Sequence, residues 1–384
     1  LGVLHRRRPS SEFLTFFYLM VSFGGALGGL FVGIVAPLIF TDYWELQIGM
    51  MLVCTVAAWL LLSKPWASTW RIPILGATVA ILISAAHVPR NPNATVVAKS
   101  RNFYGGLKVL VEGQPQGVQV FSMMHGRICH GLQFDRGQSS SRPSAYFGPD
   151  SGIGVAVATH PKRRIGADAM EPAALHIGVL GLGIGTIAAY GEPGDRLRFY
   201  EINPDVVQMA TNSAYFRYLS GCHAQAEIVM GDARLSLEKE LADSGPLNFD
   251  VLTLDVFNGD AIPTHLLTVQ AFETYLAHLN PESGVLALHV TNMYLDLVPV
   301  IARIARHCGL YGCIVKGTGD LRLTSDSLWV LLSRDTSFMQ AAIKAPSSSP
   351  LVSPHDHVPL WTDDFSNVLS IMKKSLFVRA QPSN

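Results

Sequence analysis

Two aspartates in the stretch LDVFNGDAIP have side chains that could hold a cation or take a proton from an amine. Asp255 closes a hydrophobic run, VLTLD, where a carboxylate would be partly desolvated. Asp260 follows in an Asn-Gly-Asp sequence, which is also good turn chemistry by itself. The segment therefore offers Asp255 as a candidate base, with Asp260 as a second negative charge beside it.

A glycine-rich turn lies upstream, in VLGLGIGTIAAYG (179–191), and is typical of loops that hold a nucleotide-like ligand. Its glycines, Gly181, Gly183 and Gly185, are spaced as GxGxG and are followed by Thr186. This spacing does not meet the GxGxxG pattern of dinucleotide-binding turns, so NAD is disfavoured. A glycine turn without any ligand is the alternative interpretation.

Two more carboxylates follow the next predicted strands. Glu201, in YEINP, could accept hydrogen bonds from both hydroxyls of a ribose. Asp232, followed by Ala233 in GDARL, could accept one from an adenine amino group, although an aspartate there also suits a helix N-cap. The ordered set of strand ends, more than any one of them, predicts a site of the S-adenosylmethionine class.

These residues need a scaffold that brings strand ends together, and the second half of the chain alternates strand and helix patterns. Strands are predicted at 175–180, 196–202, 227–230, 250–254, 284–290, 311–316 and 327–332. Helices are predicted at 184–190, 204–218, 235–241, 265–279 and 295–307. The alternation predicts an α/β fold with a Rossmann-like, doubly wound, mostly parallel sheet, whose ligands bind beyond the carboxyl ends of the strands. Short runs at 95–99, 106–112 and 117–124 predict a small subdomain of β-hairpins before it.

The N-terminal region, 1–90, has a different character and predicts a membrane domain. Three uncharged runs, 13–40, 46–63 and 72–88, approach or exceed the roughly 20 residues that span a bilayer. Three such runs in tandem favour transmembrane helices over a signal peptide or buried core helices. The positive-inside rule places the N-terminus inside, but basic residues just after the third run oppose this, so the side of the soluble part stays open.

The composition limits the partners. Lys and Arg together number 29, as do Asp and Glu, so no basic field favours nucleic acid. The five cysteines form no CxxC pair and no cluster with histidine, so we expect free thiols and no metal, with a Cys308–Cys313 disulfide as the alternative if the domain lies outside the cell. The chain begins with Leu, so it could be the tail of a longer membrane protein, or the Leu could be a start codon read literally.

With these residues in view, the chain resembles the spermidine synthases, or polyamine aminopropyltransferases, and looks most like bacterial forms fused to membrane spans. The resemblance runs from about residue 101 to the end and rests on RNFYGGLKV, YFGPDSGIG, VLGLGIGT, YEINP, GDARL and DVLTLDVFNGDAIP, with FYLMVSFGGALGG matching the spans. It implies transfer of an aminopropyl group from decarboxylated S-adenosylmethionine to a polyamine, giving methylthioadenosine. It also implies a multi-pass protein of the bacterial inner membrane, in contact with lipid, and leaves a homodimer open.

Carried over by position, the resemblance assigns a role to each carboxylate. Glu201 would hold the ribose, and Asp232 with Ala233 the adenine end of the donor. Asp255 would be the base on the attacking amine, and Asp260 a partner of the substrate cation. The predicted parts are thus the membrane region 1–90, the hairpin subdomain 91–150 and the transferase domain 151–384.

Residues outside the large sheet are also assigned by resemblance. Tyr146 and Asp150 fall near the stretch that faces the polyamine. His125 and His130, in HGRICHG, fall near a hairpin that closes over the site, and ordinary hairpin side chains are the other interpretation. The C-terminal WTDDFSN (361–367) suits either an amine or an exposed helix N-terminus.

One departure from the family concerns Ile184, which stands where the family's turn commonly carries an aspartate facing the donor's aminopropyl ammonium. Without that acid, the donor could be intact S-adenosylmethionine. The reaction would then be methyl transfer, transfer of another group, or cleavage of the sulfonium. A membrane module that only senses polyamines or assists their transport is the third hypothesis.

Overall fold

The computed structural model describes residues 8–62, 73, 76, 78–79, 94–114, 117–126, 128–166, 173–256, 263–320, 323–352 and 358–373. The chain divides into two compact units. The first comprises residues 1–94 with 99–106, and the second comprises 95–98 with 107–384.

The first unit begins with a long apolar helix, α1 (Ser11–Ile39), followed by α2 (Trp44–Leu62). Among the described residues, α1 alone is long and apolar enough to cross a membrane, and it corresponds to the first predicted span. The apolar part of α2, Trp44–Leu60, is shorter. The third predicted span, 72–88, lies almost entirely outside the described residues. One candidate span is therefore shown, and three remain a prediction.

Helix α1 is not regular along its whole length, because Phe31–Val35 is π-helical. Pro37 lies just beyond this stretch. A proline inside a helix has no N–H to donate, and its ring crowds the carbonyl four residues earlier. We attribute the local widening of the helix to this proline.

The loop between α1 and α2 is tied to β1 (Ala94–Asn102) by charge pairs inside the first unit. Arg101 donates to both carboxylate oxygens of Glu45, at 2.8 and 2.6 Å, and its guanidinium lies 4.3 Å from the ring centroid of Tyr43. Lys99 Nζ lies 2.5 Å from the carboxylate of Asp42. A planar guanidinium suits this bidentate and stacked geometry better than an ammonium would.

A four-stranded sheet contains β1, β2 (Gly105–Gly113), β3 (Gln119–His125) and β4 (Ile128–Phe134), in that order. The predicted runs at 95–99, 106–112 and 117–124 correspond to the first three strands. The fourth, ICHGLQF, was missed because His, Gly and Gln interrupt its apolar alternation. In the ladder between β3 and β4, Met123 pairs with Gly131 and Met124 with Cys129, so His130 is the extra residue of a β-bulge.

The larger sheet has eight strands in the spatial order β12-β10-β11-β9-β8-β5-β6-β7. Its strands are β5 (His176–Leu180), β6 (Arg196–Glu201), β7 (Gln225–Met230), β8 (Val251–Leu254), β9 (Val285–His289), β10 (Tyr311–Gly317), β11 (Ser327–Ser333) and β12 (Ser348–Pro350). Strands β5 to β9 run parallel, whereas β10, β11 and β12 pair antiparallel. This order confirms the doubly wound, mostly parallel sheet, and the chain reverses its winding direction between β5 and β8.

Helices cover both faces of this sheet. They are α3 (Gly152–Thr159), α4 (Pro161–Gly166), α5 (Pro204–Ala210), α6 (Ala233–Ser244), α7 (Val269–His278), α8 (Val298–His307) and α9 (Thr336–Ile343). Successive residues of one strand enter different cores, as Val251 and Leu252 of β8 do. Parallel strands buried on both faces are expected to be hydrophobic throughout, which is why the sequence pattern located them well.

Two predicted helices are shorter in the structure. The segment predicted at 184–190 forms only a 3₁₀ turn, Thr186–Tyr190, before the chain enters the next strand. The helix predicted at 204–218 ends with α5 at Ala210 and continues as turns. Helix α5 begins as the sequence indicated, with the Asn203 side chain capping Asp205 N–H at 3.0 Å and Pro204 in the first turn.

Candidate functional site

The candidate site lies where β5 and β8 end side by side. Asp255 N–H donates to Leu180 O at 2.8 Å, and Gly181 N–H donates to Tyr200 O at 2.8 Å on the other neighbouring strand. A Cβ atom at residue 181 would lie 2.1 Å from the carbonyl oxygen of Asp255, and φ at this residue is +94°. Only glycine satisfies both constraints, so the first glycine of the turn allows the two strand ends to meet.

The rest of the turn also adopts a left-handed backbone. Gly183 and Gly185 have φ of +54° and +79°, and a Cβ at residue 183 would lie 3.3 Å from His130 O. Ile184 between them is fully buried, and its side chain packs against Gly131 of β4. The β3–β4 hairpin therefore covers the glycine turn directly.

Glu201, at the end of β6, is bound to this turn. Its carboxylate accepts hydrogen bonds from Leu182 N–H at 3.1 Å and from Asn203 N–H at 2.8 Å. Burial raises the pKa of the Glu201 carboxyl, and the two backbone N–H groups oppose that rise. The structure thus brings together the acidic residue predicted to hold a ribose and the glycine turn predicted to hold the nucleoside.

Asp232 follows β7 and caps α6. Its Oδ1 accepts from Leu235 N–H at 3.0 Å, and Oδ2 lies 3.1 Å from His265 Nε2. Ala233 is the first residue of the helix and is buried. The N-cap interpretation of Asp232 is therefore confirmed as a structural role, while its contact with an adenine remains a prediction.

Asp255 is paired with a histidine that the sequence analysis did not single out. Oδ1 of Asp255 lies 2.7 Å from Nδ1 of His289, the last residue of β9. His289 Nε2 lies 2.7 Å from Thr291 Oγ1, and that oxygen accepts a hydrogen bond from Leu328 N–H at 2.8 Å. Because the Asp255 carboxylate can only accept, the ring proton is assigned to Nδ1, and Nε2 can then accept from the Thr291 hydroxyl.

Aromatic rings fix the plane of His289. Its ring stacks on Trp329 of β11, with centroids 4.7 Å apart and planes 23° apart. The ring centroid of Tyr146 lies 5.3 Å from that of His289. The indole Nε1 of Trp329 donates to Tyr146 O at 3.3 Å. The predicted residue Tyr146 therefore lies beside the Asp255–His289 pair, at the edge of the strand ends.

Asp150 and Asp260 are the other two residues predicted to contact the substrate. The carboxylate of Asp150 accepts from Thr318 N–H at 2.8 Å and from Thr318 Oγ1 at 3.0 Å, so it holds the loop that follows β10. Asp260 lies outside the described residues. The substrate contacts of both remain predictions.

His125 and His130 lie at the turn end of the β3–β4 hairpin, with ring centroids 5.4 Å apart. Burial lowers the pKa of His130 to about 4, opposed by the nearby Asp255 carboxylate and assisted by His125 and His289. Its Nε2 atom is buried and has no hydrogen-bond partner among the described residues. The imidazole is therefore neutral at physiological pH and near the candidate base.

The C-terminal WTDDFSN has a structural role in part. Asp363 accepts two hydrogen bonds of 2.7 Å from Arg234 of α6 and one of 2.7 Å from Thr268 Oγ1. This pairing, mainly the Arg234 hydrogen bond, lowers the pKa of Asp363 to about 2. Trp361 is fully buried in the core. Neither residue forms the exposed helix N-terminus that the sequence allowed.

His289 could have been found from the sequence by the rule that identified Asp255. The run VLALH ends in a polar residue at the close of a predicted buried strand, as VLTLD does. Because β8 and β9 are adjacent and parallel, their last residues must be neighbours at one edge of the sheet. The bulge at His130 gave no comparable signal in the sequence.

Comparisons with known proteins found no matching family model and no matching curated protein. Among solved structures, a probable spermidine synthase from Corynebacterium glutamicum is 17% identical, covering 71% of this chain and 98% of that one with a TM-score of 0.49. Spermidine synthase from Thermotoga maritima is 12% identical, covering 74% and 86% with a TM-score of 0.41. The O-methyltransferase TomG from Streptomyces achromogenes, solved with SAM, is 15% identical, covering 47% and 78% with a TM-score of 0.32. At these identities and scores, what those proteins bind or catalyse remains a property of those proteins.

Proposed function

We propose that the chain is a membrane-anchored, spermidine-synthase-like transferase. It moves an aminopropyl group from decarboxylated S-adenosylmethionine to a di- or polyamine and releases methylthioadenosine. The observation that carries the proposal is the pairing of Asp255 with His289 where β5 and β8 end side by side, directly beside the glycine turn. A carboxylate held there can accept a proton from an amine that approaches a nucleoside bound on the turn.

The nucleoside half of the donor would rest on the turn and on Glu201. In the structure, Glu201 is held by Leu182 N–H, so its carboxylate is already oriented along the turn. The ribose hydroxyls would donate to this carboxylate, and Asp232 with Ala233 would meet the adenine end. Pre-orientation of this kind reduces the entropy lost on binding.

Asp255 would act as the base toward the reacting amine. A diamine has pKa values of about 10 and arrives as an ammonium without a lone pair. Asp255 would take one proton through Oδ2, which has no hydrogen-bond partner among the described residues, while Oδ1 stays with His289. The nitrogen lone pair then forms a bond to the carbon next to sulfur, the C–S bond breaks, and sulfur keeps its electron pair as a neutral thioether. No oxyanion forms, so no oxyanion hole is needed.

The second candidate is a reaction with intact S-adenosylmethionine, such as methyl transfer, transfer of another group or sulfonium cleavage. It is favoured by Ile184, which is fully buried against Gly131 and offers no charge to a donor ammonium. A module that only senses polyamines or assists their transport would need no base. The Asp255–His289 pair therefore favours an enzyme over such a module.

The membrane part of the proposal rests on α1 and on the two uncharged runs that follow it in the sequence. The proposed location is the bacterial inner membrane, with three spans in residues 1–90 and lipid around them. The domain that follows these spans would bind the polyamine substrate. The proposal does not specify whether the chain forms a homodimer.

The test is to incubate the purified full chain, in detergent, with each donor and with putrescine, cadaverine or spermidine, and to identify products by mass spectrometry. Methylthioadenosine with an aminopropylated amine supports the proposal. S-adenosylhomocysteine, or a sulfonium cleavage product from the intact donor, would favour the second candidate. If no donor is consumed with any amine, the chain is not such a transferase.

A further inference from the structure

The hairpin that covers the glycine turn carries a histidine whose placement is not explained by the hairpin itself. His130 is the extra residue of the bulge in β4, opposite no residue of β3. A bulge interrupts the alternation of side chains and can re-aim one of them. Its neighbour Gly131 packs on Ile184, which fixes the bulged strand on the turn.

The His130 imidazole has a ring nitrogen whose hydrogen-bonding capacity is unsatisfied among the described residues. Its Nε2 atom is buried and has no hydrogen-bond partner in the part of the chain that the structure describes. Buried polar atoms usually have a hydrogen-bond partner, and a buried atom without one is destabilising. The titratable groups that act on His130 are Asp255, the proposed base, His289, which is hydrogen-bonded to that base, and His125.

We propose that His130 Nε2 accepts a hydrogen bond from the attacking nitrogen of the amine substrate and so determines which amines react. This inference rests on the proposed function and names a residue that binds the acceptor. His130 is neutral, so it adds no positive charge beside a cationic substrate.

The chemistry of the nucleophile explains why a second acceptor is useful. After an ammonium loses one proton to Asp255, a primary amine has two N–H groups and one lone pair. That lone pair first faces Asp255; rotation of the amine about its C–N bond then turns it toward the carbon beside sulfur, while Asp255 and His130 each accept one N–H. A secondary amine has only one N–H left, so it cannot satisfy both acceptors and would leave one of them unpaired.

The test compares putrescine with N,N′-dimethylputrescine, whose two ends are both secondary amines. The full chain is assayed as wild type, as His130→Ala and as His125→Ala, the last being a matched control on the same hairpin. We expect His130→Ala to lower kcat for putrescine by about tenfold or more, the value of one lost hydrogen bond, and to reduce the preference for putrescine. His125→Ala should keep the wild-type preference.

Binding gives a readout that does not depend on turnover. Titration calorimetry with putrescine, in the presence of methylthioadenosine, should show weaker amine binding for His130→Ala than for His125→Ala. Binding of methylthioadenosine alone should be equal in both variants, because His130 is assigned to the amine. An unchanged amine preference together with unchanged putrescine affinity in His130→Ala would overturn the inference. Failure of the proposed function differs from this, since the wild type itself would then form no methylthioadenosine.

Discussion

Oδ1 of Asp255 and Nδ1 of His289 lie 2.7 Å apart, at the ends of two adjacent parallel strands. The side chain of His289 is 5% exposed and that of Asp255 is 19% exposed, so the pair faces solvent mainly through the carboxylate. His289 is held in turn by Thr291 and by the Trp329 stack. The pair therefore presents one oxygen of Asp255 in a fixed direction, as a base must if it is to act on a bound amine.

Asp255→Asn tests the base directly. The amide keeps the size of the side chain but cannot take a proton, so we expect kcat to fall by about 10²–10⁴. The affinity for methylthioadenosine, measured by calorimetry, should stay within about twofold, because Glu201 and the glycine turn are intact. Normal turnover by this variant would exclude Asp255 as the base.

His289 is expected to position Asp255 rather than to touch substrate. His289→Ala should lower kcat by about ten- to a hundredfold, because the carboxylate loses its fixed orientation. His289→Asn places an amide N–H near the position of Nδ1 and should recover most of that loss. Thermal unfolding of both variants separates this effect from loss of the Trp329 stack. Equal kcat values for the alanine and asparagine variants would argue against a positioning role.

Gly181→Ala is expected to be severe because the new methyl group would meet the Asp255 carbonyl at 2.1 Å, with φ at +94°. We expect the free energy of unfolding to fall by about 3 kcal/mol or more, measured by urea denaturation. Gly194→Ala is the matched control, since its φ is +91° but its nearest contact would be 3.8 Å. That variant should lose only about 1 kcal/mol, the cost of the backbone conformation alone. Equal losses would show that the close approach at Gly181 is unimportant.

The Asp363–Arg234 pair should stabilise the fold in a pH-dependent way. The pKa of Asp363 is lowered to about 2 from its usual 3.8, so its contribution is present above pH 4 and is lost as the pH falls toward 2. Asp363→Asn should therefore be less stable than the wild type at pH 7, and the difference should narrow at pH 3. Urea denaturation at the two pH values measures it. A difference that stays constant would mean that the ion pair contributes nothing, as some partly exposed pairs do.

The ion pairs of the first unit predict that β1 lies on the same side of the membrane as the loop between α1 and α2. Asp42 and Lys99 are in contact, so cysteines placed singly at these two positions should be labelled by an impermeant thiol reagent from the same side. A cysteine at Ser10, before α1, should be labelled from the other side if α1 crosses the bilayer. The background for these variants is a chain whose native cysteines have been replaced. Labelling of positions 42 and 99 from opposite sides would contradict the topology.

The class of the fold and the order of the strand ends follow from the hydrophobic pattern of the sequence. Strands buried on both faces have continuous apolar runs, and VLGLGIG, YEINP and VLTLD each place a chemical group where such a run ends. Gly181, Glu201 and Asp255 could therefore be named before their neighbours were known, because the carboxyl ends of parallel strands meet at one edge.

The side chains that most of the carboxylates contact are known only from the three-dimensional arrangement of the strands and helices. Asp232 caps α6, one of the two roles that its position in the sequence allowed, whereas the pairings of Asp150 with Thr318 and of Asp363 with Arg234 do not follow from spacing along the chain. The pairing of Asp255 with His289 needs the spatial order of the strands, and the placement of His130 needs the bulge in β4. The physical reason is that a hydrogen bond depends on distances of a few tenths of an ångström between residues far apart in sequence, which a periodic pattern does not encode.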